Sequence, residues 1–358
     1  MTNVLVTSAP AIGHVNLVLP VARSLRRLGH SVTVAASPEI HWHVGKWQLP
    51  HVRKAPLRYP VVTERSAWKH IPVDMAITSA QEILRLAEDV NPTHIVFDRS
   101  DLGAALAASH LQLKAVCVAS TGFGTFNWMR AESQAIIEEA NETLRLSRAD
   151  MALSRPTWLT YLPHSFHGSS VSDIASDVIA CDPRESSLVR SAGSGRRILL
   201  SYGTTPRVPR EVLLKGLIER LSPAFEIGVV APPGATGLDS VPSNVEILDV
   251  PSLEGVAFEY SVVGCHGGMS TVTEALSSGV PVHSVPFSRD QQYIASLCSN
   301  LGAGDMMRFD EESVMHSLDE ISEAIARVAS EEAYAIGALS FAREYAELPR
   351  LDEILSRW

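Results

Sequence analysis

Cysteine is scarce in this chain of 358 residues, and the few there are do not pair. Cys117, Cys181, Cys265 and Cys298 are scattered with no C-x-x-C, so neither a zinc site nor a redox pair is indicated. Three of them sit in apolar surroundings and read as inert core thiols. Positive charge is in deficit: the formal net charge is -10 and there is no basic cluster. That argues against nucleic acid or an anionic membrane as a partner, although local dipoles could still hold one small anion. No apolar run is long enough to span a bilayer. The amino terminus, Met-Thr-Asn-Val-Leu-Val, lacks a basic leader and reads straight into a strand, so a signal peptide is not expected and a cytoplasmic location is. The first turn lacks G-x-G-x-x-G, which speaks against a nicotinamide or flavin group, and no resident cofactor is expected.

What is present is core. The chain is 46% hydrophobic and 20% charged, enough apolar material for a large interior, and its length suggests two domains. Apolar runs at Val4 to Thr7 and Val32 to Ala35 flank an amphipathic stretch from Leu17 to Leu28 that Gly29 ends, which is a βαβ unit. Similar alternation continues through strands ending near Asp98 and Ala119, with helices at 73–89, 102–111 and 131–146. Residues 37–72 look irregular and are rich in His, Trp and Pro. His41, Trp42, His43, Trp47 and His51 cluster there. No carboxylate or thiol completes a ligand set, so the segment reads as a packed loop or as the lining of a ligand pocket, and no metal site is expected. Residues 182–197 are rich in Ser, Gly and Arg and read as a linker. Alternation then resumes. The expected class is α/β, with two doubly wound domains at 1–181 and 198–332 and amphipathic helices at 333–358. Ligands of such sheets bind beyond the carboxyl ends of the strands.

Two places at strand ends carry chemistry. His14 and Asp98 both follow strands of the first half, and parallel strands put those ends on one edge. A histidine held by a carboxylate can act as a general base, or it can simply be a local structural contact. Asp101 is a rival partner, or the cap of the helix at Leu102. In the second half an apolar strand ending at Cys265 runs into His266-Gly267-Gly268, then a helix opened by Ser270 and Thr271 and closed by Gly279 and Pro281. Free N–H groups at a helix start favour an anion, and glycines admit a close approach. The plainer reading is a capped helix after a glycine turn.

The full pattern is more particular. His-Gly-Gly-x-x-Thr, Glu-Ala-Leu, Gly-Val-Pro and Pro-x-x-x-Asp-Gln, all within Cys265 to Gln291, resemble the donor-binding motif of the nucleotide-sugar-dependent glycosyltransferases with two Rossmann-like domains, the GT-B type. Members of that family glucosylate plant metabolites or attach deoxysugars to bacterial antibiotics. Ser8-x-Pro10-x-x-Gly13-His14 followed by Gly29-His30-x-Val32-Thr33 looks like its amino-terminal signature. Ser270 stands where bacterial members usually have Gly. Leu17 and then Pro20 replace the Pro that usually follows the histidine soon after.

The resemblance implies two domains facing across a cleft, with the last helices crossing back to the first domain. It implies an inverting transfer of sugar from a UDP or dTDP sugar to a hydroxyl of a small-molecule acceptor such as a natural product. His14 would be the base and Asp98 its orienting carboxylate. Gly203 and Thr204 would line the phosphates, as would the turn of His266, Gly267, Gly268, Ser270 and Thr271. Glu274 would reach the ribose hydroxyls, and Asp290 and Gln291 the donor sugar. Absence of D-x-D fits the family's metal independence. Trp42, Trp47, Trp68, Phe123, Phe126 and Trp128 suggest an apolar or aromatic acceptor, unless they only fill the core. A monomer or homodimer is expected. An epimerase or hydrolase of nucleotide sugars on the same architecture, or a non-catalytic binding protein, remain the alternatives.

Overall fold

A computed structural model describes residues 2–54, 71–119, 127–166, 177–184, 196–203, 210–231, 240–308 and 314–358. The chain divides into two compact units, one formed by Met1–Pro183 with Pro349–Trp358, the other by Arg184–Leu348.

The first unit is built on seven parallel strands: β1 (Asn3–Thr7), β2 (Ser31–Ala36), β3 (His51–Arg53), β4 (His94–Asp98), β5 (Lys114–Ala119), β6 (Thr157–Thr160) and β7 (Val178–Ala180), in the order β3-β2-β1-β4-β5-β6-β7. Val4 stands between Val32 and His94 in register. Most strand residues are buried on both faces, which is why they read as apolar runs rather than alternating ones. Helix α1 (Ile12–Arg27) follows β1, and α2 (His41–Lys46) lies between β2 and β3. Helices α3 (Ile71–Val90), α4 (Leu102–His110) and α5 (Asn127–Leu144) pack together. Gly103 sets the close crossing of α3 and α4: a Cβ there would lie 2.3 Å from the Ala76 carbonyl.

The second unit has six parallel strands: β8 (Arg197–Ser201), β9 (Glu226–Val230), β10 (Val245–Leu248), β11 (Val262–Cys265), β12 (Val282–Ser284) and β13 (Gly304–Met306), ordered β10-β9-β8-β11-β12-β13. Its helices are α6 (Arg210–Leu221), α7 (Met269–Ser277), α8 (Arg289–Asn300), α9 (Val314–Ser330) and α10 (Glu332–Ala346). A last short helix, α11 (Leu351–Leu355), belongs to the first unit.

Several sequence expectations need correction. Helix α1 starts at Ile12 rather than Leu17, so His14 sits in its first turn and not in a preceding loop. The segment 37–72 contains α2 and β3, and the short strands β7 and β13 carry too few residues to show a pattern. Asp182 is not linker: it is buried, ion-paired to Arg350 at 2.9 Å, and bridged to that residue as a strand-like pair. Of the expected linker, 185–195 lie outside the described residues. The helix expected over 333–346 does not return to the first domain. Its buried stripe of Ala338, Phe341, Ala342 and Tyr345 keeps α10 on α7. Gly337 presses on the Gly302 carbonyl, where a Cβ would come within 2.3 Å. Only Pro349–Trp358 rejoins the first unit.

Candidate active site

In the first unit the strand order reverses between β1 and β4, and crevices form at such a point. The turn after β1 leads into α1, whose first turn carries His14. Asp98 is the last residue of β4. Their side chains meet, with Nδ1 of His14 2.8 Å from Oδ2 of Asp98. Asp98 is fully buried, whereas the His14 side chain keeps 28% of its surface. Backbone N–H groups of Ala9 (2.8 Å, to Oδ1) and Ser100 (3.0 Å, to Oδ2) also donate to the carboxylate. Burial by itself would push the Asp98 carboxyl up. The attraction of His14, its hydrogen bond and the two backbone donors outweigh that and hold the group below its ordinary value. An imidazole that gives its Nδ1 proton to a carboxylate carries its basic lone pair on Nε2.

Asp101 has another task. It is the cap of α4, accepting from the Ala104 N–H at 3.3 Å, and it is ion-paired with buried Lys54 at 2.8 Å. The two aspartates that sequence left as rivals are thus separated by role. The described histidines of this segment make contacts within the chain. His43 Nε2 lies 2.6 Å from Asn16 Oδ1, His51 Nδ1 2.8 Å from the Leu49 carbonyl, and His41 stacks edge-on against His51. Trp42 is half exposed. Trp68, Phe123 and Phe126 lie outside the described residues, as does the side chain of Trp128.

The second unit repeats the layout. Its strand order reverses between β8 and β11; Gly203 follows the first of these and His266 the second. The His266 ring lies between two glycines: a Cβ on Gly268 would be 2.4 Å from Nε2, and one on Gly203 3.0 Å from Cε1. Gly203 also has φ +70, a conformation that favours glycine. Gly267, at φ +78, lets the turn press on the Gln291 carbonyl, 2.9 Å from where a Cβ would sit. These glycines therefore serve the chain's own packing as well as any ligand. Gly268 is the cap of α7 and brings no side-chain acceptor, so the N–H groups of Met269, Ser270 and Thr271 have no partner within the helix. Nδ1 of His266 is buried without a hydrogen-bond partner. Burial pushes this imidazole down, opposed by the Ser201 carbonyl and the nearby Asp290 carboxylate. The arrangement joins a helix start to an unsatisfied ring nitrogen, as an anion site requires.

The remaining residues are placed less simply. Ser270 and Thr271 are half-buried in the first turn of α7. Asp290 is exposed in the first turn of α8. Gln291 accepts the Phe287 N–H with its Oε1 at 2.9 Å. Glu274 accepts the Leu253 N–H at 2.6 Å, which ties α7 to the segment after β10. Burial pushes its carboxyl up to about 7, against the hydrogen bonds from Leu253 and Ser252. Thr204 lies outside the described residues.

No protein-family model matches the chain. A rhamnosyltransferase of "PGL/p-HBAD biosynthesis" from Mycobacterium bovis (strain BCG / Pasteur 1173P2) is 30% identical over 122 residues, 34% of this chain and 27% of that protein. The chain thus matches about a quarter of the length of that relative. The "NDP-glycosyltransferase YjiC" of Bacillus subtilis (strain 168) is 23% identical over 345 residues, 88% of this chain and 87% of that one. Among solved structures, "Spinosyn Rhamnosyltransferase SpnG" superimposes with a TM-score of 0.78 at 22% identity, covering 99% of both chains. The chain has the GT-B glycosyltransferase fold. SpnG has also been solved with thymidine diphosphate and with spinosyn aglycone.

Within this GT-B chain two site-adjacent residues had no sequence signal. Lys54 and Ser79 reach Asp101 from a segment without a recognisable motif and from the middle of a helix. Only the fold brings them together.

Proposed function

We propose that the chain is an inverting, metal-independent glycosyltransferase that moves a sugar from a nucleoside-diphosphate sugar to a hydroxyl of a small-molecule acceptor. The observation that carries the base role is the 2.8 Å contact of His14 Nδ1 with buried Asp98, at the reversal point of a GT-B sheet. Nε2 of His14 takes the proton of the acceptor hydroxyl. The acceptor oxygen bonds to the anomeric carbon as the bond from that carbon to the diphosphate oxygen breaks, and the diphosphate leaves with the electron pair. One displacement inverts the centre and needs no covalent nucleophile. Asp98 stays ionised, keeps the imidazole in one tautomer and stabilises the imidazolium that forms.

Charge grows on the diphosphate as it leaves. The N–H groups at the start of α7 and the His266 ring, with Gly203 against that ring and Thr204 next in sequence, are the groups proposed to receive it. Asp290 and Gln291 are proposed to hold the sugar and Glu274 the ribose. Thymidine diphosphate as the nucleotide is supported by the SpnG complex, with uridine diphosphate the other candidate.

Calorimetric titration with dTDP and UDP tests the division of roles. Wild type binds at least one nucleotide, His266→Ala loses that binding, and His14→Ala keeps it while losing transfer by roughly 10²–10⁴-fold. Failure of wild type to bind either nucleotide at millimolar concentration overturns the donor site.

A further inference from the structure

Four buried polar side chains form a closed network at the ends of the two loops that bond Asp98, and the proposed chemistry does not use any of them directly. The Lys54 ammonium donates to Thr7 Oγ1 (2.9 Å), Ser79 Oγ (2.7 Å) and Asp101 Oδ2 (2.8 Å), which employs all three of its protons. Thr7 and Ser79 each donate to Asp101 in turn. All four residues are almost wholly shielded from solvent. An ion pair so deeply buried pays a large desolvation cost, and a well-packed apolar cluster would often serve stability equally well. What it supplies instead is fixed geometry.

The place of the network in the chain shows what is being held. Thr7 ends β1, two residues before Ala9. Asp101 immediately follows Ser100. Ala9 and Ser100 are the residues whose backbone N–H groups grip Asp98. Lys54 follows β3 and Ser79 comes from α3, which the Gly103 crossing presses against α4. Two separate segments therefore converge on the two loops that clamp one carboxylate.

We infer that Lys54 and Asp101 are positioning residues for the His14–Asp98 pair, acting through the Ala9 and Ser100 backbone donors. This rests on the reading of His14 as the base. The network locks the loop ends, the loop ends aim two N–H groups at Asp98, and Asp98 in turn aims the imidazole. Small displacements of such groups cost large factors in rate. Among the described residues, Arg99 from its own loop and Cys117 from β5 are titratable groups that also interact with the Asp98 charge.

The test reads His14 directly. Imidazole proton resonances are followed against pH, with His14 assigned by its loss in His14→Ala. The variants are Lys54→Met, Ser79→Ala, and Lys54→Met with Asp101→Asn, which removes both charges together. A loosened Asp98 stabilises the imidazolium less, so the His14 titration midpoint is expected to fall by about one unit, tenfold in the equilibrium, in the double variant, which leaves the net charge unchanged. A smaller fall in the same direction is expected in Ser79→Ala, which keeps the ion pair and is the variant that decides if the double variant does not fold. Transfer assays add a second readout: kcat falls by roughly ten- to a hundredfold while KM for the donor holds. A folded Ser79→Ala or double variant in which His14 titrates as in wild type overturns the inference. If the midpoint shifts but wild type transfers no sugar, the positioning role stands and the transferase reading falls.

Discussion

At the scale of single residues, burial decides which ionisable groups are consequential. Asp98 is wholly enclosed, yet its three donors keep it ionised. Glu274 goes the other way. It keeps some contact with solvent but is densely surrounded, with two donors and the Glu254 carboxylate nearby, and its carboxyl is raised from 4.5 to about 7. The folded chain thus holds a proton that the unfolded chain releases near 4.5. Its contribution to stability is fully present below that pH, declines as pH rises, and is gone above about 7. Glu274→Gln keeps an oxygen for the Leu253 N–H and cannot ionise. Urea midpoints measured from pH 4.5 to 8 are therefore expected to fall more steeply in wild type than in the variant. Parallel slopes would show that Glu274 ionises normally.

At the scale of elements, the approach of one backbone to another explains the glycines. The turn between β11 and α7 packs the His266 ring where a Gly268 side chain would be, and Gly267 backs onto the start of α8. Gly268→Ala forces a contact of 2.4 Å with the ring. The ring must move, at a cost of about 1–3 kcal/mol in stability. The expected outcome is a lower melting temperature together with weaker nucleotide binding, read by calorimetry on the same sample. Wild-type affinity in this variant would mean that the position of the His266 ring does not matter to the anion.

At the scale of the whole molecule, the first unit is discontinuous in sequence. Leu351 and Leu355 are buried in it, Asp352 binds Ser24 and Arg27 of α1, and Arg350 holds Asp182. Burial of the two leucines contributes roughly 3–6 kcal/mol by area alone, an upper figure. Deleting residues 349–358 is expected to raise hydrogen exchange in α1 and around Asp182 while leaving β8 to β13 protected. Equal loss in both units would contradict the division. Among the described residues no helix is long and apolar enough to cross a membrane.

Much of this was legible in the linear chain, because local pattern determines local structure. Parallel strands buried on both faces appear as apolar runs, and helices between them as amphipathic stretches, so the two doubly wound units and their order followed from period alone. The His266 turn was legible for the same reason, since a strand end, a glycine and a helix start are contiguous in sequence, whereas the start of α1 was not and His14 falls in its first turn. Tertiary structure decided what depends on contacts between distant residues. It paired His14 with Asp98 rather than Asp101, because only Asp98 faces α1 while Asp101 caps α4 and answers Lys54. It kept α10 on the second unit, because the apolar stripe of a helix does not say which neighbour it will meet. It engaged Glu274 and Gln291 with backbone groups of their own unit, which no spacing encodes. It also assembled Lys54, Thr7, Ser79 and Asp101, four residues whose partnership exists only once four segments close on one buried point.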